Sequence, residues 1–263
     1  MSEAVDWLAK PDRSWYDEVV VDPRELSRDR FMSTVQSSTN ARPKEWTVAD
    51  LQRRFGPIPF QRIRQNPAPG TATEDDVLWL NDHEDRLYEL VDGILVEKTV
   101  GLEESWLAVR IAGLINLHVE PRNLGIATGA DGMYRLAGGL IRIPDVAFAS
   151  WDRIPGGEFP EEPIPDVIPD LVVEVISKSN ARKEMDEKLT DYFQKGVRLV
   201  WLVRLPSRVV DVYTAVDQFT RLTASSTLDG GDVLPGFSIL VADLFRKPKR
   251  PGPQKPNGKQ QER

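Results

Sequence analysis

The chain has 263 residues, of which 40% are hydrophobic, and a formal net charge of −7. This length and composition predict one sizeable α/β core, and the negative charge argues against indiscriminate adhesion to nucleic acid. The absence of Cys excludes disulfides, thiolate zinc sites and Cys nucleophiles. Because the sequence has no apolar run of about 18 residues and no basic-then-apolar start, we expect a cytoplasmic protein with no membrane partner.

Residues 1–75 predict an N-terminal arm with one short helix and a linker. The helix is expected over residues 46–55, where Thr47 is a typical N-cap and Asp50 follows at the third helical position. Residues 66–76 contain several Pro and Gly residues and are typical of a linker.

After this arm, helices and strands alternate. The first half contains a strand at residues 94–100, an amphipathic helix at 103–118, and a hairpin with long arms at 126–136 and 140–149. The second half contains a strand at 170–177, an amphipathic helix at 181–195, and strands at 198–203 and 209–214. The resulting order of helix, three strands, helix and strand predicts an α/β fold with a mixed central sheet flanked by helices.

Two carboxylates interrupt apolar strands of this sheet. Asp145 lies in IRIPDVAFA and Glu174 lies in DLVVEVIS, and both segments are typical of strands covered on both faces. Burying an ionised group costs several kcal/mol unless a partner compensates it. We therefore expect the two acids to share a cation or a cationic partner at one site.

Lys188 is a candidate cationic group for this site. Within residues 181–195, apolar residues recur at helical spacing from Met185 to Phe193 and predict the buried face, and Lys188 falls on the flank of that face. From there it can reach the end of the strand that carries Glu174. Two carboxylates and a nearby ammonium group suit Mg²⁺ and a phosphate.

These residues give the chain a recognisable pattern. It resembles the restriction-endonuclease-like superfamily, written PD-(D/E)XK, and within it the Uma-two (Uma2) family of bacterial endonucleases. The resemblance rests on YELVDGILVEK, on Pro144 and Asp145 in RIPDVAFAS, and on residues 169–203. It covers most of the chain, and it implies that residues 76–246 form a nuclease domain with a restriction-endonuclease-like core in the order α-β-β-β-α-β.

The resemblance also implies roles for individual residues. Asp145 matches the motif Asp, Glu174 the second acid, and Glu89 an upstream acid often found beside the metal in this superfamily. The usual pattern places Lys two residues after the second acid, where this chain has Ile176. Lys188 matches the position to which the Lys has moved in the Uma-two family, so the implied catalytic residues are Asp145, Glu174, Lys188 and Glu89.

The activity implied by the resemblance is Mg²⁺-dependent hydrolysis of phosphodiester bonds in DNA, with Mn²⁺ as a substitute. Asp145 and Glu174, with the carbonyl of Val175, would hold the ion, and many relatives of this fold act as homodimers. Relatives commonly have a His after the first hairpin, which is absent here, although Glu103 and Glu104 lie in its neighbourhood. A competing interpretation is a non-catalytic metal- or nucleic-acid-binding protein that retains the nuclease fold.

Each candidate residue also has a simpler interpretation. Asp145 could make a local turn hydrogen bond at the start of its strand, and Glu174 could face solvent from an edge strand. Lys188 could be solvated or could pair with Glu184, one helical turn earlier. Glu89 could be a solvated acid at the end of a helix.

The chain ends with a basic segment. Residues 246–263 contain seven Lys or Arg and one Glu, with recurrent Pro and Gly between them. Because this segment has no apolar stripe on which to fold, we expect residues 247–263 to be a disordered tail that is separable from catalysis.

Overall fold

The computed structural model describes residues 45–99, 101–177 and 180–248. These residues contain five α-helices and three β-sheets. The helices are α1 (Val48–Phe55), α2 (Glu74–His83), α3 (Leu102–Val119), α4 (Arg182–Gln194) and α5 (Val241–Leu244). The strands are β1 (Tyr88–Val91), β2 (Ile94–Glu97), β3 (Gly125–Thr128), β4 (Tyr134–Ala137), β5 (Leu140–Arg142), β6 (Val146–Ser150), β7 (Leu171–Ile176), β8 (Leu199–Arg204), β9 (Val209–Ala215), β10 (Gln218–Leu222), β11 (Thr227–Gly230) and β12 (Leu234–Leu240). The predicted tail from residue 249 onwards lies outside the described residues, and no described helix is both long and apolar enough to cross a membrane.

The central sheet has six strands in the order β10-β9-β8-β7-β6-β3. β7 and β8 are parallel, with α4 as the connection between them, and the other neighbouring pairs are antiparallel. Along the chain, α3, β3, β6, β7, α4 and β8 follow the predicted α-β-β-β-α-β order. The restriction-endonuclease-like core with a mixed sheet flanked by helices is therefore confirmed.

A second sheet has four strands in the order β2-β1-β5-β4. The two arms of the predicted hairpin do pair, β4 with β5 and β3 with β6, but neither arm is continuous. The two long arms predicted at residues 126–136 and 140–149 are each broken into two strands, which join different sheets. One arm turns between Gly129 and Gly132, where the N–H of Gly132 donates to the Gly129 carbonyl. The other arm passes through Pro144, which has no N–H to donate to a ladder. The chain thus leaves one sheet and enters the other beside Asp145.

Side-chain alternation along β7 decides which groups face the site. All six residues of β7 are buried. Val173 and Val175 pack in the cluster under α3, whereas Val172 and Ile176 pack in the cluster under α4. Since successive side chains of a strand point to opposite faces, Glu174 lies on the α4 side, between two apolar residues.

The segment before α2 packs onto the β1–β2 hairpin. α1 begins after Thr47, whose side chain and that of Asp50 form a reciprocal capping box, so the predicted helix start is confirmed. The packing cluster contains residues of α1, of the following turn and of both strands: Leu51, Phe55, Ile63, Val91, Ile94 and Val96. This contact holds residues 46–64 against the strand that carries Glu89.

Candidate active site

One cavity of about 250 Å³ is lined by Glu89, Asp145, Glu174, Val175 and Lys188, the five residues that the sequence marked as a site. Its walls come from β1, from the residues after β2, from the start of α3, from the ends of β6 and β7, and from α4. These elements are far apart in the chain. The sheet topology therefore assembles the predicted residues in one place.

Glu174 is a buried carboxylate in the middle of the sheet. Its Oε1 accepts a hydrogen bond from the Lys188 ammonium at 3.0 Å and another from the Tyr192 hydroxyl at 2.6 Å. Burial raises the pKa of Glu174; Lys188 opposes this, but nearby Asp145 and Glu89 raise the pKa further, so the net direction is upward. The interpretation of Glu174 as a solvent-facing edge residue is wrong, because β7 has β6 and β8 on its two sides.

Asp145 lies just before β6 and not inside a strand, which corrects the prediction. Pro144 interrupts the ladder, and pairing of β6 with β7 starts one residue later, at Val146. The carboxylate nevertheless points to the site, since its Oδ2 accepts a hydrogen bond from the Val175 N–H at 2.7 Å. Its Oδ1 lies 3.0 Å from the Lys98 ammonium. Asp145 therefore bonds across to β7 and does not make only a local turn contact.

Lys188 is buried between two carboxylates. Its Nζ lies 2.8 Å from Glu89 Oε1 and 3.0 Å from Glu174 Oε1. Burial would lower the pKa of Lys188, but Glu174 and Glu89 outweigh it and raise the pKa above its ordinary value. Neither simpler interpretation holds: Lys188 is not solvated, and Glu184 pairs with Arg62 instead.

Glu89 lies in β1, and it is neither solvated nor at a helix end. Its Oε2 accepts a hydrogen bond from Arg142 at 2.7 Å, and its Oε1 accepts from the Ile143 N–H at 3.2 Å in addition to its contact with Lys188. Burial would raise the pKa of Glu89, but Lys188 and Arg142 hold the pKa at about 2. Arg142 also pairs with Asp191 on α4, so this network ties β1 to α4.

Lys98 is a site residue that the sequence reasoning missed. Its ammonium contacts Asp145 Oδ1 at 3.0 Å, the Ala130 carbonyl at 3.0 Å and the Ile143 carbonyl at 2.7 Å. A signal for it existed, because Lys98 ends the motif YELVDGILVEK. It lies two residues after Val96, the residue opposite Glu89 in the hairpin, and residues two apart in a strand point to the same face. Arg142 and Arg62 carried no such signal.

The acids Glu103 and Glu104, which follow the first hairpin, differ in position. Glu104 lines the cavity, whereas Glu103 is exposed and pairs with Lys247. The neighbourhood of the missing His is therefore occupied by one acid that faces the site.

The charges around the cavity suit a divalent cation. The lining includes three cationic side chains and five carboxylates, a net charge of −2 when all are ionised: Arg62, Lys98 and Lys188, against Glu89, Glu104, Asp145, Glu174 and Glu184. Within the described residues, no group of three or more His, Cys, Asp or Glu side chains is arranged to hold a metal ion. Mg²⁺ requires less, because proteins usually bind it through one or two carboxylates, with waters and substrate phosphates completing the shell. Asp145 and Glu174 fit that requirement.

A mixed sheet at which an acid of a central strand, an acid just before the neighbouring strand and a lysine of α4 meet in one cavity defines a restriction-endonuclease-like protein. The chain belongs to the Uma2 family, whose model, described as "Putative restriction endonuclease", matches residues 74–243. It is also similar to the crystal structure of "a putative nuclease belonging to DUF820" from Anabaena variabilis, with a TM-score of 0.56 and 19% sequence identity over 66% of this chain and 97% of that one. A comparison with curated proteins found no match. Family and fold together indicate a nuclease.

Proposed function

We propose that the protein is a metal-dependent endonuclease that hydrolyses phosphodiester bonds in DNA, using Mg²⁺ or, in its place, Mn²⁺. The observation that carries the proposal is the convergence of Asp145, Glu174 and Lys188 on one cavity, with Lys188 and Glu174 3.0 Å apart. Membership of the Uma2 family supports nucleic acid as the substrate.

Asp145 and Glu174, together with the Val175 carbonyl, would hold the Mg²⁺ ion. When bound, such an ion polarises the scissile phosphate and lowers the pKa of a coordinated water. The Val175 N–H and the Lys98 ammonium engage one oxygen each of Asp145, which keeps its carboxylate turned into the cavity. No described residue other than Lys188 and Tyr192 donates to Glu174, and both bind its Oε1, which leaves Oε2 for the ion.

Lys188 would stabilise the negative charge that develops on the phosphate. Among the described residues, Glu89 and Glu174 take up two of the three N–H donors of its ammonium, so one donor would remain for a substrate oxygen. A lysine between two carboxylates stays protonated, which favours this role over that of a general base. Glu89, whose Oε1 lies 2.8 Å from the Lys188 ammonium, would act as a positioning residue for Lys188.

The test is cleavage of supercoiled plasmid by the purified full chain in MgCl₂ and in EDTA. Asp145→Ala and Lys188→Met should each lower cleavage at least about 100-fold, which is the usual cost of removing a group that stabilises the transition state. Lys195→Met, which removes an exposed lysine next to α4, is the matched control and should cleave like the wild type. Cleavage that persists unchanged in Asp145→Ala would come from a contaminating nuclease and would overturn the proposal.

The competing function, a non-catalytic protein that keeps the fold and the metal, has its support in the net negative charge of the chain. It predicts a different result in the same experiment. The wild type would then be stabilised by Mg²⁺ without cleaving plasmid DNA, single-stranded DNA or RNA.

We also infer that the protein forms a homodimer through α3. Leu102, Val109 and Leu117 lie along one face of this helix and are 90%, 70% and 75% exposed. Gly113 falls on the same stripe at 100° per residue. A solvated helix face ordinarily carries charged residues, so an apolar face of this length is typical of a covered surface.

A second copy of the chain fits this face because the face is self-complementary. Around a two-fold axis through the middle of α3, an antiparallel copy would bring Leu102 opposite Leu117. No atom lies within 4 Å of the point where a Cβ on Gly113 would sit, so the face is open near its middle. Two-fold interfaces have this reciprocal pattern, in which one residue contacts another and is contacted by it in turn.

A further inference from the structure

Arg62 lines the cavity, although it precedes residues 74–243, the part of the chain that matches the family. Its guanidinium binds Glu184 of α4 through two hydrogen bonds, of 2.7 and 3.1 Å, and its Nε donates to the Glu97 carbonyl at 2.9 Å. The Arg62 side chain is 13% exposed and that of Glu184 is 6% exposed. The two residues therefore form a largely buried ion pair in the wall of the site.

Glu184 and Lys188 lie four residues apart on α4, the spacing at which Glu and Lys side chains pair on a helix. They do not pair here, because Lys188 contacts Glu89 and Glu174 while both oxygens of Glu184 are bound to Arg62. A buried carboxylate that loses its partner is costly. If Arg62 were absent, Lys188, one turn further along α4, would have the spacing at which a lysine pairs with Glu184.

We propose that Arg62 is a positioning residue that holds Glu184 away from Lys188, so that the Lys188 ammonium stays between Glu89 and Glu174. This inference rests on the proposed nuclease function for its kinetic consequence, but not for its structural one. With Arg62 removed, the Lys188 ammonium turns towards Glu184. It is thereby drawn away from Glu174, the carboxylate proposed to hold the ion.

The segment that carries Arg62 is fixed firmly enough for this role. Arg54 of α1 pairs with Glu187 of α4, and the Lys183 ammonium binds the Arg53 carbonyl. Beside Arg62, Ile63 is buried in the cluster on the β1–β2 hairpin. The guanidinium therefore approaches Glu184 from a backbone that is attached both to α4 and to the strand carrying Glu89.

The experiment compares Arg62→Met, Glu184→Gln and the double variant Arg62→Met/Glu184→Gln in the full chain. At saturating plasmid and MgCl₂, Arg62→Met should lower kcat about 10- to 100-fold, as expected for a misplaced catalytic group. The double variant should recover most of this loss, because no carboxylate remains to attract Lys188. Arg54→Met is the matched control, since it removes an Arg–Glu bridge from the same segment to α4 without touching the cavity, and it should keep the wild-type kcat.

A crystal structure of metal-free Arg62→Met provides a readout that does not depend on nuclease activity. The expected result is Lys188 Nζ within about 3.5 Å of the Glu184 carboxylate and displaced from its position between Glu89 and Glu174. Unchanged Lys188 contacts would overturn the inference, even if the protein proves inactive. A double variant as slow as Arg62→Met, with a raised KM and a reduced salt dependence, would also overturn it, because Arg62 would then be a DNA-contacting residue.

Discussion

Replacing Glu174 with Gln should remove the stabilisation of the protein by Mg²⁺. The cavity lining carries a net charge of −2 when all its groups are ionised, and one divalent ion balances this charge. The substitution makes the net charge less negative, −1, and also removes a charged ligand oxygen. At 100 times its dissociation constant, Mg²⁺ stabilises the wild type by about 2.7 kcal/mol. For a domain of this size, that corresponds to a rise in Tm of about 5 to 10 °C. Without metal, Glu174→Gln should melt at or above the wild-type temperature, because a neutral amide oxygen can still accept from Lys188 and Tyr192.

Thermal unfolding by circular dichroism, in EDTA and over a MgCl₂ titration, measures both effects. Glu187→Gln is the matched control, since Glu187 is an acid on the same helix but does not line the cavity. It should keep the full metal-dependent rise in Tm. Equal rises in the wild type and in Glu174→Gln would show that the ion binds elsewhere, and the assignment of Asp145 and Glu174 as ligands would be wrong.

Three further predictions concern the scaffold, the tail and the dimer. Arg142→Met leaves the buried Glu89 and the partly buried Asp191 without their shared partner and should lower the free energy of unfolding by about 3–5 kcal/mol in urea titrations. A loss below about 1 kcal/mol would contradict the network. Deletion of residues 246–263 should weaken DNA binding mainly at low salt, and the slope of log K against log salt concentration should fall by about 0.9 for each lost phosphate contact. Turnover at saturating DNA should stay unchanged; loss of this turnover in a folded deletion variant would assign the tail to the active site. Leu117→Glu should convert a dimer to a monomer in light scattering coupled to gel filtration, and a monomeric wild type would refute the α3 interface.

The sequence predicted the elements in which local pattern and burial agree. The near-continuous apolar run around Glu174 is typical of a central strand, and β7 is fully buried. The helical spacing that starts at Met185 predicted α4, and the Thr47 cap predicted the start of α1. These signals act over a few residues, so they do not depend on the rest of the fold.

Residues whose position depends on distant partners could not be predicted in this way. The two arms of the predicted hairpin do pair, but the break in each arm was missed, because it depends on pairing of β5 with β1 and of β6 with β7, which no local period encodes. Arg142 meets Glu89 across 53 residues and Arg62 meets Glu184 across 122. Nothing in the charge pattern near either arginine distinguishes it from a solvated one. Strands β10 to β12 and α5 also carried no strong signal, because β10 is largely exposed and α5 is only four residues long.

The usual pattern has a Lys where this chain has Ile176, and two lysines of the cavity, Lys98 and Lys188, are candidates to replace it. Ile176 is on the same face of β7 as Glu174 and packs in the core under α4, so a lysine entering from α4 reaches Glu174 from the opposite wall of that core. Lys98 cannot take the same role, because three protein oxygens accept all three of its N–H donors. Among the described residues, two carboxylates accept from Lys188, which would leave its third donor for substrate. We therefore infer that the two lysines have different roles: Lys98 orients Asp145, and Lys188 acts on the phosphate. This inference follows from the number of N–H donors that each ammonium group has engaged, not from motif spacing.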